Sequence, residues 1–271
     1  MSEKKVAVVT GSSSGIGAAT ARLYASRGWN VVVNYSRDPA PAQAVADACQ
    51  ALGAEVLVVK ADVSQDADCR RLAAETEARF GRADVLVNNA GTTKFVDIKN
   101  LDGLEAEDFH KIYSVNVVGA YQMVRAFAPL MRRHPVAGIV NVSSVASIMG
   151  RGSSLAYMAS KGALNAMTVG LARALAPHIR VNAIAPGLVE TPWLQEGLGA
   201  DKYQAGVDWY KGRAALEQVI SAEDVAERRG TSARARPRQP ASCCWSMPAC
   251  ASPRPDRPAT TRGVTFAVRV T

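Results

Sequence analysis

Near the start of the chain, Lys5 to Thr10 (K-V-A-V-V-T) runs directly into Gly11-Ser12-Ser13-Ser14-Gly15-Ile16-Gly17 and then into a helix-prone stretch, Ala18 to Arg27. A short, uninterrupted β-branched run is what a strand buried on both faces of a parallel sheet requires. Glycines between strand and helix let the backbone approach a pyrophosphate, whose charge then meets free N–H groups and the positive end of the helix. The spacing is Gly-x-x-x-Gly-x-Gly rather than Gly-x-Gly-x-x-Gly, and a tight βα turn needing positive φ would use the same glycines.

The same alternation repeats. Strand Asn30 to Tyr35 precedes helix Pro41 to Leu52, and strand Glu55 to Lys60 precedes helix Gln65 to Phe80. Strand Val85 to Val87 is followed by a long amphipathic stretch, Ala106 to Arg132. Strand Ile139 to Val142 is followed by helix Tyr157 to Leu175 and strand Arg180 to Ala185. This order specifies an α/β fold: one domain with a Rossmann-type doubly wound parallel sheet and right-handed crossovers, whose ligands bind at the carboxyl ends of the strands. A chain of 271 residues with 48% hydrophobic composition buries such a core without needing a second domain. No stretch is long and apolar enough to span a membrane, and Met1 to Lys5 lacks an apolar signal core, so the expected location is cytoplasmic.

Polar residues gather at those strand ends. At the tip of the second strand, where dinucleotide-binding sheets read the adenosine ribose, the chain has Ser36-Arg37 and no carboxylate before Asp38. A basic residue there accommodates a 2′-phosphate, which favours NADP(H) over NAD(H), although Arg37 also fits a solvated loop. Asp62, before Val63, suits either an adenine amine or the cap of the next turn. Asn88-Asn89-Ala90-Gly91 pairs two amides with small residues, as suits a backbone passing close beneath a flat ligand. Asn116, inside the apolar stretch S-V-N-V-V-G, needs a partner: a local helix bond, or a water held beside an active site.

Ser143 and Ser144 end the fifth strand, and Tyr157 and Lys161 follow four residues apart, a spacing that puts both on one helix face. Bringing a tyrosine from pH 10 to neutrality takes about 3 units, roughly 4 kcal/mol. One positive charge about 4 Å away supplies that much at an effective dielectric of about 20. Tyr157 with Lys161 is thus a candidate acid/base pair, though the same spacing occurs on many helices as a partly buried ring beside a solvated amine.

Taken in order, Thr10-Gly11-x-x-x-Gly15-Ile16-Gly17, Asp62-Val63, Asn88 to Gly91, Asn116, Ser144, Tyr157-x-x-x-Lys161 and Pro186-Gly187 with Thr191 make the chain resemble the short-chain dehydrogenase/reductase family from about Lys5 to about Glu227, nearest to the 3-oxoacyl-acyl-carrier-protein reductase type. The resemblance implies a nicotinamide cofactor and a catalytic tetrad of Asn116, Ser144, Tyr157 and Lys161. Ser144 rather than Ser143 stands thirteen before Tyr157, the family's usual spacing. Cofactor contacts are implied for Gly11, Ser13, Ser14, Gly15, Ile16 and Gly17, for Asp62 and Val63, and for Asn89, Ala90 and Gly91. Tyr157, Lys161, Pro186, Gly187, Val189 and Thr191 complete that set, with Ser36 and Arg37 at the 2′-phosphate. The family also implies a homo-oligomer, in relatives a tetramer, and a small carbonyl or alcohol substrate, which an acyl carrier protein can present. Substrate choice is expected from Thr92 to Val96, Val145 to Leu155, and the flap-like Pro192 to Arg213, whose aromatic residues read mainly as packing. A 3-oxoacyl thioester, a ring ketone and a steroid fit such a pocket equally well. The alternatives are an NAD-dependent secondary-alcohol or sugar dehydrogenase, and a cofactor-binding protein without turnover.

From Arg228 the chain departs from that pattern. Residues 228–271 hold nine of the 32 basic residues, one of the 24 acidic ones, six of the 13 prolines and three of the five cysteines, so the whole +8 charge belongs to the tail. Nucleic-acid and membrane partners are not expected from these arginines alone. Cys243, Cys244 and Cys250 lack the paired spacing of a zinc site, so no metal is expected. Back-translated and read from the third base of each codon, Gln239 to Cys250 permits Thr-Gly-Gln-Leu-Leu-Leu-Val-Asp-Ala-Gly-Met, the strand that relatives carry at this place. The tail therefore reads as the product of a frameshift close to Glu227. The expected division is a catalytic domain over 1–227 and an irregular Arg- and Pro-rich tail over 228–271, with the last strand lost and a sheet edge exposed.

Overall fold

A computed structural model describes residues 4–134, 136–212 and 218–227, and the backbone of two further strands at 242–246 and 265–269. Its centre is a sheet of β1 (Val6–Val9), β2 (Asn30–Tyr35), β3 (Val56–Lys60), β4 (Val85–Asn88), β5 (Ala137–Val142) and β6 (Ile179–Ile184). These six are parallel, in the order β3-β2-β1-β4-β5-β6. The order reverses between β1 and β4, and a crevice opens there at the strands' carboxyl ends. β1, β4 and β5 are buried along their whole length, as the apolar runs require.

The helices cover both faces. On one lie α1 (Gly15–Ser26) and α2 (Pro39–Ala51), packed on Ala7, Val9, Val31 and Val33. On the other lie α3 (Asp66–Phe80), α4 (Ala106–Tyr113) and α5 (Ala120–Met131), where Leu72, Met123 and Phe127 meet Val8, Val32 and Leu86. A short α6 (Ala146–Met149) leads to α7 (Leu155–Leu175), and α8 (Pro192–Leu198) and α9 (Ala200–Lys211) form an outer flap. Local chemistry sets the boundaries. The Asp38 side chain accepts from Ala40 N at the start of α2, Ser154 accepts from Tyr157 N at the start of α7, and Gly81 at φ 68° ends α3.

The amphipathic stretch expected as one helix is interrupted. Between α4 and α5, Ser114–Gly119 forms a wider π-helical turn. Gly119 permits it: a Cβ there would lie 2.8 Å from Val63 Cγ2 and 3.0 Å from Val63 O. Such turns relocate a side chain without ending the helix.

Most of the tail, including the region of the inferred frameshift and Cys250, lies outside the described residues. Within them the backbone of β7 (Ser242–Ser246) pairs parallel with β6, and β8 (Thr265–Arg269) pairs antiparallel with β7. The β6 edge is thus covered, contrary to the expectation of a lost strand. An unpaired edge presents a row of N–H and C=O groups that any extended segment can satisfy, whatever its sequence. Two register pairs, Ala183 with Cys243 and Ile184 with Cys244, join β7 to β6.

Candidate active site

The glycine loop is held as a cradle from below. Asn34, buried in β2, accepts from Gly11 N through Oδ1 at 3.0 Å, and its Nδ2 donates to the backbone oxygens of Tyr35, Val59 and Ala61. Ser12 Oγ donates to Val9 O and accepts from Asn34 N. From the other side Asn89 Nδ2 donates to Thr10 O and Gly11 O at 3.0 and 2.9 Å, while Thr10 Oγ1 accepts from Asn89 N and Ala90 N. Gly17 packs so closely that a Cβ would lie 2.3 Å from Gly11 O. Gly11 and Gly15 adopt φ of 57° and 52°, and Thr191 stands over Gly15 with Cγ2 3.3 Å from the place of a Cβ.

The first turn of α1 contains no acidic residue, and its N-cap Ser14 makes no side-chain capping bond. Its amides therefore point out of the loop with the positive end of the helix behind them, the arrangement that receives a phosphate. Ser36 and Arg37 are exposed at the tip of β2, while Asp38 is committed to the cap of α2. Asp62 uses Oδ1 to accept from Ser64 N and Ser64 Oγ, so its turn-capping role is formed. Pro186 O accepts from Val145 N, and buried Val189 bridges to Ile220, which seats the residues before Thr191 against the crevice.

Across the crevice the four residues of the expected tetrad converge. The Ser144 hydroxyl hydrogen-bonds Tyr157, whereas Ser143 is buried and its Oγ donates to Lys161 O, so Ser144 is the serine on the pocket side. Lys161 is buried, and its Nζ donates to Val142 O at 2.7 Å and lies 5.5 Å from the centre of the Tyr157 ring. A Cβ on Gly91 would stand 3.4 Å from Asn116 Oδ1 and 3.7 Å from Lys161 Nζ, so both face one point beneath the Asn89-Ala90-Gly91 backbone.

Two expectations change. Burial pushes the Tyr157 hydroxyl up to about 12, and the Ser144 hydrogen bond pulls it down by less. Desolvation outweighs the hydrogen bond, so the hydroxyl is held protonated at neutral pH rather than brought down to it. The Asn116 amide is also more committed than a water holder: Nδ2 donates to Thr92 O and Ser160 Oγ, both at 3.0 Å, and Oδ1 accepts from Thr92 N at 2.8 Å. It acts as a peg tying the loop segment after Gly91 to α7.

Residues that the sequence reading passed over do much of this fixing. Asn34 carried a signal, since an amide within the buried run N-V-V-V-N-Y needs partners. Ser160, fully buried, donates to Tyr157 O at 2.7 Å and accepts from Asn116; nothing in its neighbourhood distinguished it from an ordinary helix serine.

The three stretches expected to choose the substrate do meet. Val96 N donates to Ser153 O, Thr93 Oγ1 lies 2.7 Å from Ser153 Oγ, and Arg151 lies over the Trp209 ring. Phe95 and Trp193 are in ring contact, as are Trp193 and Tyr157. The flap is not ordinary packing: α8 buries none of its residues and α9 only Val207. Among the described residues, no helix is long and apolar enough to cross a membrane.

Known proteins agree with this arrangement. The family model for short chain dehydrogenases matches residues 5–200. A ketoacyl reductase of the granaticin polyketide synthase from Streptomyces violaceoruber is 40% identical over 83% of this chain and 88% of its own. The 3-oxoacyl-[acyl-carrier-protein] reductase of a Synechocystis strain is 36% identical over 73% of this chain and 78% of its own. Levodione reductase superposes with a TM-score of 0.78 at 28% identity, covering 84% of this chain and 90% of that one. A crystal structure of a short-chain dehydrogenase/reductase from Burkholderia xenovorans gives 0.82 at 38% identity, covering 90% and 98%. With its glycine cradle and Tyr157-x-x-x-Lys161 helix facing one crevice, the chain belongs to the short-chain dehydrogenase/reductase family of oxidoreductases.

Proposed function

We propose that the protein reduces a ketone to a secondary alcohol with NADP(H), the 3-oxoacyl thioesters that the names of its relatives suggest being one candidate class. The observation that carries this reading is the convergence of Ser144, Tyr157, Lys161 and Asn116 on one point beside the glycine cradle. The cradle fits a dinucleotide, since Gly17 lets α1 pack directly on the loop and the first turn of α1, with no acidic residue and no side-chain cap, turns its amides and positive end toward a phosphate. A bound nicotinamide supplies the hydride that the carbonyl carbon takes up.

The protein's own groups handle the oxygen. Ser144 Oγ donates a hydrogen bond to the carbonyl and holds it against Tyr157, whose hydroxyl gives its proton to the oxygen as negative charge develops there. A hydroxyl whose pKa is pushed up to about 12 is fully protonated at neutral pH, as an acid for reduction must be. Lys161 sits close enough to oppose the charge left on the tyrosine, which regains its proton from water. Asn116, pegged to Thr92 and Ser160, keeps the loop segment after Gly91 in place, where it would line the nicotinamide site. Reduction should therefore stay nearly flat with pH around neutrality, while the reverse oxidation, which needs tyrosinate, should rise toward pH 12.

The NADP(H) preference rests on Ser36 and Arg37, exposed at the β2 tip with Asp38 already used in a cap. Half-exposed Val118, in the π-helical turn, and Tyr121, three residues on at the start of α5, favour a homo-oligomer. The proposed catalytic unit is residues 1–227, acting in the cytoplasm, with 228–271 appended through a frameshift.

Tyr157→Phe is the test. We expect it to lower turnover about 1,000-fold with NADPH still bound, as followed by nicotinamide fluorescence. Near-full turnover would remove Tyr157 from the chemistry. Tighter binding of NADH than NADPH would move the protein to the NAD-dependent secondary-alcohol or sugar dehydrogenases.

A further inference from the structure

Trp193, the second residue of α8, stands 40% exposed beside the reacting centre, with its ring centre 6.3 Å from that of Tyr157 and tilted 46° to it. It is not a loose surface tryptophan. Phe95 supports it from the opposite loop at 5.7 Å and 55°. Phe95 is itself seated in a notch of α8 that only a glycine leaves open, since a Cβ on Gly197 would fall 2.0 Å from Phe95 Cε2. The far end of the flap is fixed as well, by the Arg151 guanidinium 4.6 Å over Trp209.

The result is an aromatic wedge, Tyr157-Trp193-Phe95, in which Trp193 touches a ring on either side and stays 40% exposed. Aromatic faces gain most from a flat partner at about 4.5–7 Å between centres, offset or tilted. A rigid ring also enters without freezing rotors, whereas each torsion of a flexible chain has to be immobilised on binding. Geometry limits where such a ring can be. The carbonyl oxygen has to reach Tyr157 and Ser144, so the atoms attached directly to the carbonyl carbon are the ones that meet the wedge.

We propose that this pocket selects ketones whose carbonyl belongs to a flat ring system or adjoins one, and that Trp193 is the residue that recognises the ring. The inference rests on the reductase reading of the Tyr157 site and narrows its substrate: linear 3-oxoacyl thioesters are the poorer class. Thr93 and Ser153, hydrogen-bonded to each other across the adjoining loops, give the same wall a polar edge suited to a second oxygen on the ring.

Calorimetric titration of the full chain, with and without NADPH, tests this with 2-tetralone as the ring ketone and the N-acetylcysteamine thioester of acetoacetate as the linear one. The ring ketone is expected to bind more tightly. Trp193→Ala should weaken its binding about 3- to 10-fold, the range of one aromatic contact, with little effect on the thioester. Trp193→Phe should keep most of the affinity. Because α8 buries none of its residues, both variants are expected to melt like the parent. Equal weakening of both ligands by Trp193→Ala, or tighter binding of the thioester to the parent, overturns the proposal. Selective ring binding without reduction of 2-tetralone would leave it standing and instead remove the reductase reading.

Discussion

The glycine cradle and the flap face each other across one crevice, yet they are built by opposite means. Helix α1 buries seven of its 12 residues, and the loop before it is tied by Asn34 of β2, by Asn89 just after β4 and by the loop's own Ser12. The flap buries only Val207, and its position depends on ring contacts and one cation over a ring. One wall is thus fixed by steric necessity before any ligand arrives; the other is held by a few contacts of modest strength. Cofactor binding is the property that such a protein cannot vary, whereas substrate choice can change with a single ring.

The sharpest way to break this comparison is Gly17→Ala. With Gly11 O 2.3 Å from the added carbon and Asn89 Nδ2 2.6 Å away, the loop has to move, and the groups in contact are backbone and a committed amide. NADPH affinity measured by fluorescence should fall about 100-fold, equivalent to about 2.7 kcal/mol. Unchanged affinity with an unchanged melting temperature would show that the cradle is softer than its contacts imply.

A smaller loss is expected on the catalytic side of the same wall. Ser160→Ala leaves an Asn116 N–H without its acceptor in a buried place, a defect worth about 1–3 kcal/mol. If the peg positions the loop segment after Gly91, kcat should drop about tenfold while the KM for NADPH stays put. Ser160→Thr, which keeps the oxygen, should recover part of it. A fall in thermal stability with kcat intact would make Ser160 merely structural.

How far the sequence could be read follows the same division. Strands β1 to β6 lie within about two residues of where their buried β-branched runs put them, because a both-faces-buried strand has a composition that little else shares. The cradle, Ser144 and the Tyr157-Lys161 pair were visible because each needs a particular residue at a particular spacing. The π-helical turn was not. S-V-N-V-V-G has an ordinary helical look, and the wider turn arises from Asn116 reaching Thr92 and from Gly119 meeting Val63, contacts far apart in the chain. The raised Tyr157 pKa was missed for a related reason: the spacing gives the distance to one charge but not the extent of desolvation. The flap's role was hidden because Phe95 and Trp193 lie far apart in the chain, one in a loop and one in α8, and neither shows the periodicity that marks a packed face. At the tail, β7 sits on β6 through backbone groups, which a reading of side chains does not foresee.

The flap can be tested apart from the cradle by Gly197→Ala. The added methyl falls within the Phe95 ring, but α8 has no buried residue to anchor it and can retreat. Stability and NADPH affinity should therefore hold, with the KM for a ring ketone rising about threefold as the wedge opens. Loss of NADPH binding would mean that the two walls are mechanically joined, against the comparison drawn above.

The least effect is expected at residues 221–227. Residues 222–227 dock through Ala222, Val225 and Ala226 onto Ala19, Val140, Ile184 and Val189, and Ser221 with Asp224 caps them. Outside that contact, Arg22 pairs with Glu223 at 3.4 Å and Arg27 with Glu227 at 2.7 Å, both glutamates being more than 60% exposed. Exposed ion pairs are worth about 0–1 kcal/mol, because water screens them and two long side chains have to be held still. The double variant Arg22→Ala, Arg27→Ala should therefore shift the melting temperature by no more than about 3 °C in a chain of this size. A larger fall would mean that charge, not the apolar contact, holds this segment on α1. The body's stability would then depend on whatever sequence follows, in one reading frame or the other.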